Sequence, residues 1–224
     1  WPYMGSVVAS RRPSHKSLPN AISLPHMPSR APYTRPGQFA ARIGVEHDPM
    51  YIQGTREEPL KLRGPAMSLE GDVTADRLTE RMSLLKQLDT ARRHYDSFAE
   101  VTTMNRHQER ALSLLLSSES TSAFDLEQES QATMERYGKT INGMSLLVAR
   151  RLVEAEVPFI TVFWKGDLNK LGKKCKSAGS WDTHGNNFNC LKENLLPEFD
   201  RAYSALIEDL NDRGLLDETL VMVT

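Results

Sequence analysis

Val157-Pro-Phe-Ile-Thr-Val-Phe-Trp164 is a continuous β-branched and aromatic run. A strand with one wet face alternates apolar and polar residues. This run does not, so it predicts a strand buried on both faces, as in a parallel sheet. On its carboxyl side, Lys165–Ser180 is polar and rich in Gly and Lys, an excursion loop. The stretch Trp181-Asp-Thr-His-Gly-Asn-Asn-Phe188 follows. Beyond it, Leu195, Leu196, Phe199, Ala202, Tyr203, Leu206, Ile207 and Leu210 trace the apolar stripe of a helix. Pro197 suits its first turn and Gly214 its C-terminal cap. The short apolar run Leu220–Val223 reads as a second buried strand. Strand, loop, long helix, strand is a βαβ crossover, so the two strands are expected to be parallel members of one sheet.

Upstream the pattern is helical. Leu78, Met82, Leu85, Leu88, Ala91 and Tyr95 recur at spacings of three and four after Thr74. A second helix is expected over Asn105–Ser117 and a third over Asp125–Tyr137, stopped by Gly138. A fourth spans Lys139–Glu154, with Ile141, Met144, Leu147, Val148 and Leu152 inward and Arg150, Arg151 and Glu154 toward solvent or partners. These stripes predict core packing.

Residues 1–65 hold most of the twelve prolines. Each proline confines the residue before it to extended conformations, so this region predicts loops with at most a short strand near Ala21–Leu24. Trp1, Tyr3, Phe39, Ile43, Tyr51 and Ile52 supply apolar anchors that a linker lacks. It is therefore expected as an ordered, irregular layer of the same domain as the α/β core over residues 66–224.

The composition narrows the function classes. With 28 basic and 29 acidic residues among 224, the chain has no broad basic field for nucleic acid or an anionic membrane. No apolar run approaches the roughly 18 residues of a membrane span. The chain opens Trp1-Pro2-Tyr3, without a targeting segment, and closes inside the apolar run ending at Thr224. Both ends are expected to be cuts in a longer protein.

In an extended segment residues i and i+2 point to one side, so Asp182 and His184 can grip one metal ion with an oxygen and a nitrogen. A strand followed by this segment places it at the carboxyl end of a parallel sheet, where ligands bind. Gly185 and the amides of Asn186 and Asn187 are placed to orient the ligands from behind. The plainer reading makes Asp182 an Asx-turn former and His184 a surface loop residue. Two ligands do not complete a site. His15, His26, His47, His94 and His107 read as solvated or hydrogen-bonded side chains. Cys175 and Cys190 flank the segment. As a disulfide they would close a loop of ~15 residues, on the order of 3 kcal/mol in a chain-entropy model; as free thiols they have no shared role.

Several stretches together resemble one family. They are Arg35-Pro-Gly-Gln-Phe-Ala-Ala-Arg-Ile-Gly44 with His47-Asp-Pro-Met-Tyr-Ile52, Ala123-Phe-Asp-Leu126 with Glu135-Arg-Tyr-Gly138, and Leu146-Leu-Val-Ala-Arg-Arg-Leu-Val-Glu-Ala155. Trp181–Phe188, Leu195-Leu-Pro-Glu-Phe-Asp200 and Asp212-Arg-Gly-Leu-Leu-Asp-Glu-Thr-Leu220 complete the set. In this order they resemble the sulfatase-like proteins called domain of unknown function 1501, which are placed with the alkaline-phosphatase-like fold. The resemblance implies part of an α/β/α sandwich with parallel strands, related to sulfatases and phosphatases, whose sites bind one or two divalent metals. Asp182 and His184 match the family's Asp-Thr-His and would be metal ligands, for zinc, calcium, magnesium or manganese. It further implies a twin-arginine export signal in the parent, a periplasmic or extracellular place, and thus a disulfide between Cys175 and Cys190. Family motifs that in related enzymes hold the nucleophile and further ligands are absent here, so no catalytic residue is assigned within this chain. Departures are the Lys165–Ser180 insert with its cysteine, and Glu156 where a glycine is common.

Two functions from different classes follow as expectations. The first is a metal-dependent hydrolase of sulfate or phosphate esters, acting on a small-molecule or glycan ester, with this chain by itself inactive. The second is a non-catalytic exported binding protein that keeps the same fold.

Overall fold

The computed structural model describes residues 1–13, 17–29, 35–62, 122–164, 166, 181–183 and 185–224, with isolated positions at 76, 77, 80, 81 and 83. The helix expected after Thr74 falls almost wholly outside these residues. The helix expected over Asn105–Ser117 falls wholly outside them, and Lys165–Ser180 does so except for residue 166.

Three short parallel strands form the sheet, in the order β2-β1-β3. They are β1 (Ala21–Leu24), β2 (Met50–Tyr51) and β3 (Phe159–Val162). β1 is central, with Ile22 opposite Met50 on one side and Ile160 on the other. All four of its residues are buried. The short strand expected within an irregular region is thus the middle of the sheet. β3, expected to be buried on both faces, is only half-buried along its length, because its one ladder among the described residues runs to β1.

The expected strand at Leu220–Val223 is not formed, and with it the expected pairing to Phe159–Val162 falls. Leu220 is 91 % exposed. Upstream, a 3₁₀ turn at Leu216–Glu218 is closed by Thr219, whose hydroxyl donates to the Leu215 carbonyl at 2.7 Å. Apolar β-branched composition permits a strand; only a neighbour's exchange of N–H and C=O groups makes one.

Helix α1 (Met4–Arg11) lies against β1 and β3. Before it, the Tyr3 hydroxyl bridges Ser23 at 3.2 Å and Thr161, and its ring packs edge-on against Phe159 at 5.8 Å. These polar groups of the sheet are thereby satisfied away from water. Near the third expected helix the chain instead makes a 3₁₀ turn, Leu126–Gln128, and then α2 (Gln131–Tyr137). Ser130 caps α2 by accepting from the Thr133 amide at 3.0 Å, and Gly138 ends it with φ +77°. That φ suits glycine alone without cost, as the sequence predicts.

Helix α3 (Ile141–Glu154) begins at Thr140, whose hydroxyl accepts from the Gly143 amide at 3.1 Å. A β-carbon at Gly143 would come within 2.2 Å of the Gly138 carbonyl and 2.3 Å of that of Tyr137, so this glycine lets α2 and α3 turn tightly against one another. Residues 141–150 of α3 are all buried. Met144, Leu147, Val148 and Leu152 fill the core with Ile22, Leu24 and Ile52 from the sheet side and Ala202, Leu206 and Leu210 from the last helix. Each of these side chains larger than alanine contributes roughly 1.5–3 kcal/mol by leaving water.

The C-terminal helix starts earlier than its apolar stripe suggests. It runs as α4 (Asn187–Cys190), a π-helical stretch (Leu191–Leu195) and α5 (Leu196–Asp212). Pro197 explains the interruption: its ring would strike the carbonyl four residues back in a regular α-helix, and the wider π turn makes room.

Candidate functional site

Parallel strands gather their following loops at one edge. β1 leads through Pro25 to His26, and β3 leads through Phe163 to Trp164. The His26 and Phe163 rings lie 5.8 Å apart. Arg56, beyond β2, donates to the carbonyl of Gly166, beyond β3. From this edge an aromatic chain continues onto the last helix. Trp164 meets the Phe199 ring at 5.2 Å, and Trp181 meets the same ring at 6.1 Å and 86°. Phe199 also stacks on Tyr203 at 5.2 Å. Trp181, and with it Asp182, is thus held near the carboxyl end of β3.

Asp182 is exposed and forms a single-residue β-bridge. Thr183 donates its hydroxyl to the Asn187 side-chain carbonyl. Asn186 adopts φ +55° at the start of α4, a left-handed conformation that asparagine tolerates, and its side-chain oxygen accepts from Asn189 at 2.8 Å. Both asparagines expected to support the ligands therefore tie down the segment around them. His184 lies outside the described residues, as does Cys175. Cys190 is fully buried and disulfide-bonded. Among the described residues there is no group of three or more His, Cys, Asp and Glu side chains placed to hold a metal. Nor is any helix among them long and apolar enough to cross a membrane.

A second cluster lies near the C-terminal end of α3 and corrects an expectation. Arg150, expected to face solvent or partners, is 1 % exposed. Its guanidinium lies 2.7 Å from Glu129, 3.0 Å from Asp209 and 2.5 Å from Glu154. The Glu154 contact has hydrogen-bond geometry, whereas the Nε and Nη2 contacts are ion pairs by distance only. Arg151 also donates to Glu129, and to the Ser122 carbonyl at 2.6 Å. Asp209 further accepts from Tyr137 at 3.0 Å and Arg213 at 2.8 Å. Burial acts to raise the Glu129 carboxyl, but the hydrogen bond from Arg151 and the adjacent Arg150 guanidinium outweigh it and hold the group below its usual range. Asp209 is likewise pushed up by burial and pulled further down by Arg213, the Arg150 charge and Tyr137. Burial and the Asp209 charge drive the Tyr137 hydroxyl upward. The helix periodicity turned Arg150 outward because it counts charge as surface; the i, i+4 pairs Arg150–Glu154 and Asp209–Arg213 were the visible signal. With α3 ending at Glu154 and β3 beginning at Phe159, this cluster lies toward the amino edge of β3, away from Trp164. It joins α3 and α5 to the turn at Leu126–Gln128.

The chain matches the family described as Protein of unknown function (DUF1501) over residues 1–224 and belongs to it. No curated protein and no solved structure matches the chain.

Proposed function

With that family membership as premise, we propose that the chain is part of a metal-dependent hydrolase of sulfate or phosphate esters built on an alkaline-phosphatase-like α/β/α sandwich. The observation that carries the reading is the place of Asp182: exposed, beside the carboxyl end of a strand in a parallel sheet, where such folds bind their ligands. Asp182 and His184 would hold the metal. An oxygen and an imidazole suit zinc or manganese better than calcium or magnesium, which take oxygen almost alone. When bound, the metal would polarise an ester oxygen and lower the pKa of a nucleophile. Thr183, between the two ligands, is fastened to Asn187, so the amide network fixes the segment that presents them. The ester would be one of a small molecule or a glycan, met outside the cytoplasm in an exported protein.

Calorimetric titration of the chain with zinc or manganese tests the reading. Binding to one site is expected, weak because two ligands leave most of the coordination shell to water. The heat should fall to that of dilution in Asp182→Ala and His184→Ala variants. Equal binding by wild type and both variants would end the assignment.

A further inference from the structure

We infer that Phe199 is a positioning residue for Asp182. The inference rests on the proposed metal reading, in which Asp182 is a ligand. Both chain neighbours of Asp182 are fastened to the same long helix. On one side the Trp181 indole packs edge-on against the Phe199 ring at 6.1 Å and 86°. On the other, the Thr183 hydroxyl is bonded to Asn187. Successive Cα atoms are fixed about 3.8 Å apart, so pinning residues 181 and 183 leaves the backbone of 182 little room to move.

Phe199 suits this role because it is itself held on three sides. Trp164, just past the end of β3, contacts it at 5.2 Å and 67°, and Tyr203, one helical turn on, stacks on it at 5.2 Å and 11°. Its ring therefore refers the Asp182 segment to two rigid bodies, the sheet edge and α5. The π-helical stretch Leu191–Leu195 lies between the two anchors, Asn187 and Phe199. A π turn carries one extra residue, which rotates the face of everything after it relative to what came before. A single helix can thus meet Thr183 with its first turn and Trp181 with a later one while Ala202 and Leu206 still reach the core. The helix acts as a brace laid along the Asp182 segment, fixed to it at two points.

Phe199→Leu keeps an apolar side chain and removes the ring face, and Phe199→Tyr restores it. Both are made with Trp1→Phe, which deletes an indole that is 92 % exposed and leaves Trp181 as the more exposed one. Two readouts are taken: acrylamide quenching of tryptophan emission without metal, and zinc affinity by calorimetry. Phe199→Leu should raise the quenching and weaken zinc on the order of tenfold, the usual effect of losing a supporting partner; Phe199→Tyr should return both to wild type. Unchanged quenching in Phe199→Leu overturns the inference whatever zinc does. Raised quenching with unchanged zinc affinity also overturns it, since the ring would then hold Trp181 without positioning a ligand. A wild-type chain that binds neither zinc nor manganese sinks the metal reading instead, and raised quenching would then still uphold Phe199 as the anchor of the Asp182 segment. Should Phe199→Leu fail to fold, Trp181→Leu removes the same contact from the half-exposed side and must weaken zinc equally, or the inference fails.

Discussion

At Arg150 three carboxylates converge on one guanidinium, from the 3₁₀ region at Glu129, from its own helix at Glu154 and from α5 at Asp209. A buried cation costs several kcal/mol to desolvate, and only near-complete pairing returns that cost. Removing the cation alone leaves Glu129 and Asp209 buried without it. Arg150→Met is therefore expected to destabilise the chain by about 3–5 kcal/mol, measured by urea denaturation at pH 7. The same cluster sets an acid limit. Glu129 and Asp209 both titrate below their ordinary values. Their contribution is present in full above the unfolded carboxylate pKa, about 4, and is lost as pH falls through the lower folded values. The denaturation midpoint should drop below about pH 4 in wild type and change less with pH in Arg150→Met. A wild-type profile flat from pH 6 to pH 3 would contradict this. For Asp182, by contrast, the sequence offers chain order alone: a polar loop following an apolar strand is expected at the carboxyl edge of a parallel sheet.

Among the elements, α3 ends on a residue held in a left-handed conformation. The Glu156 amide donates to the Val153 carbonyl and the Val157 amide to that of Leu152, each at 2.9 Å. Glu156 has φ +60°, and Val157 and Leu152 are both buried. This is a Schellman ending, whose left-handed position favours glycine. Glutamate there bears a β-carbon against the following carbonyl, a strain of roughly 1–2 kcal/mol. Glu156→Gly should raise stability by about 1 kcal/mol, less the entropy that glycine adds to the unfolded chain. A lower urea midpoint in that variant would refute it. The π-helical stretch before Pro197 was not legible in the same way. Proline announces that a regular helix cannot continue through it, but whether the chain starts a helix there or widens one already begun depends on what holds the preceding turn. Here Thr183 and Asn187 hold it.

For the whole molecule, the described residues close a core of sheet, α3 and α5 but leave Leu220, Met222 and Val223 at 91 %, 63 % and 58 % exposure. Clustered apolar exposure of this kind drives association. Leu220→Ser with Met222→Ser should leave unfolding free energy within about 0.5 kcal/mol, as surface changes do, and lower the sedimentation-velocity fraction above monomer. A loss of stability comparable to a core substitution would show that the segment is packed in solution. The sequence by itself determined the Ile141–Glu154 helix, the apolar stripe of α5, the cap at Gly138 and the Phe159–Val162 strand, because periodicity and turn chemistry are local properties. Only the tertiary structure decided which strand is central, that Arg150 is inside, and that Leu220–Val223 lies unpaired. Each of those depends on partners far along the chain: Ala21–Leu24 on strands from both sides, Arg150 on acids at 129 and 209, and a strand on a neighbour to exchange hydrogen bonds. No window of sequence contains both halves of such a contact.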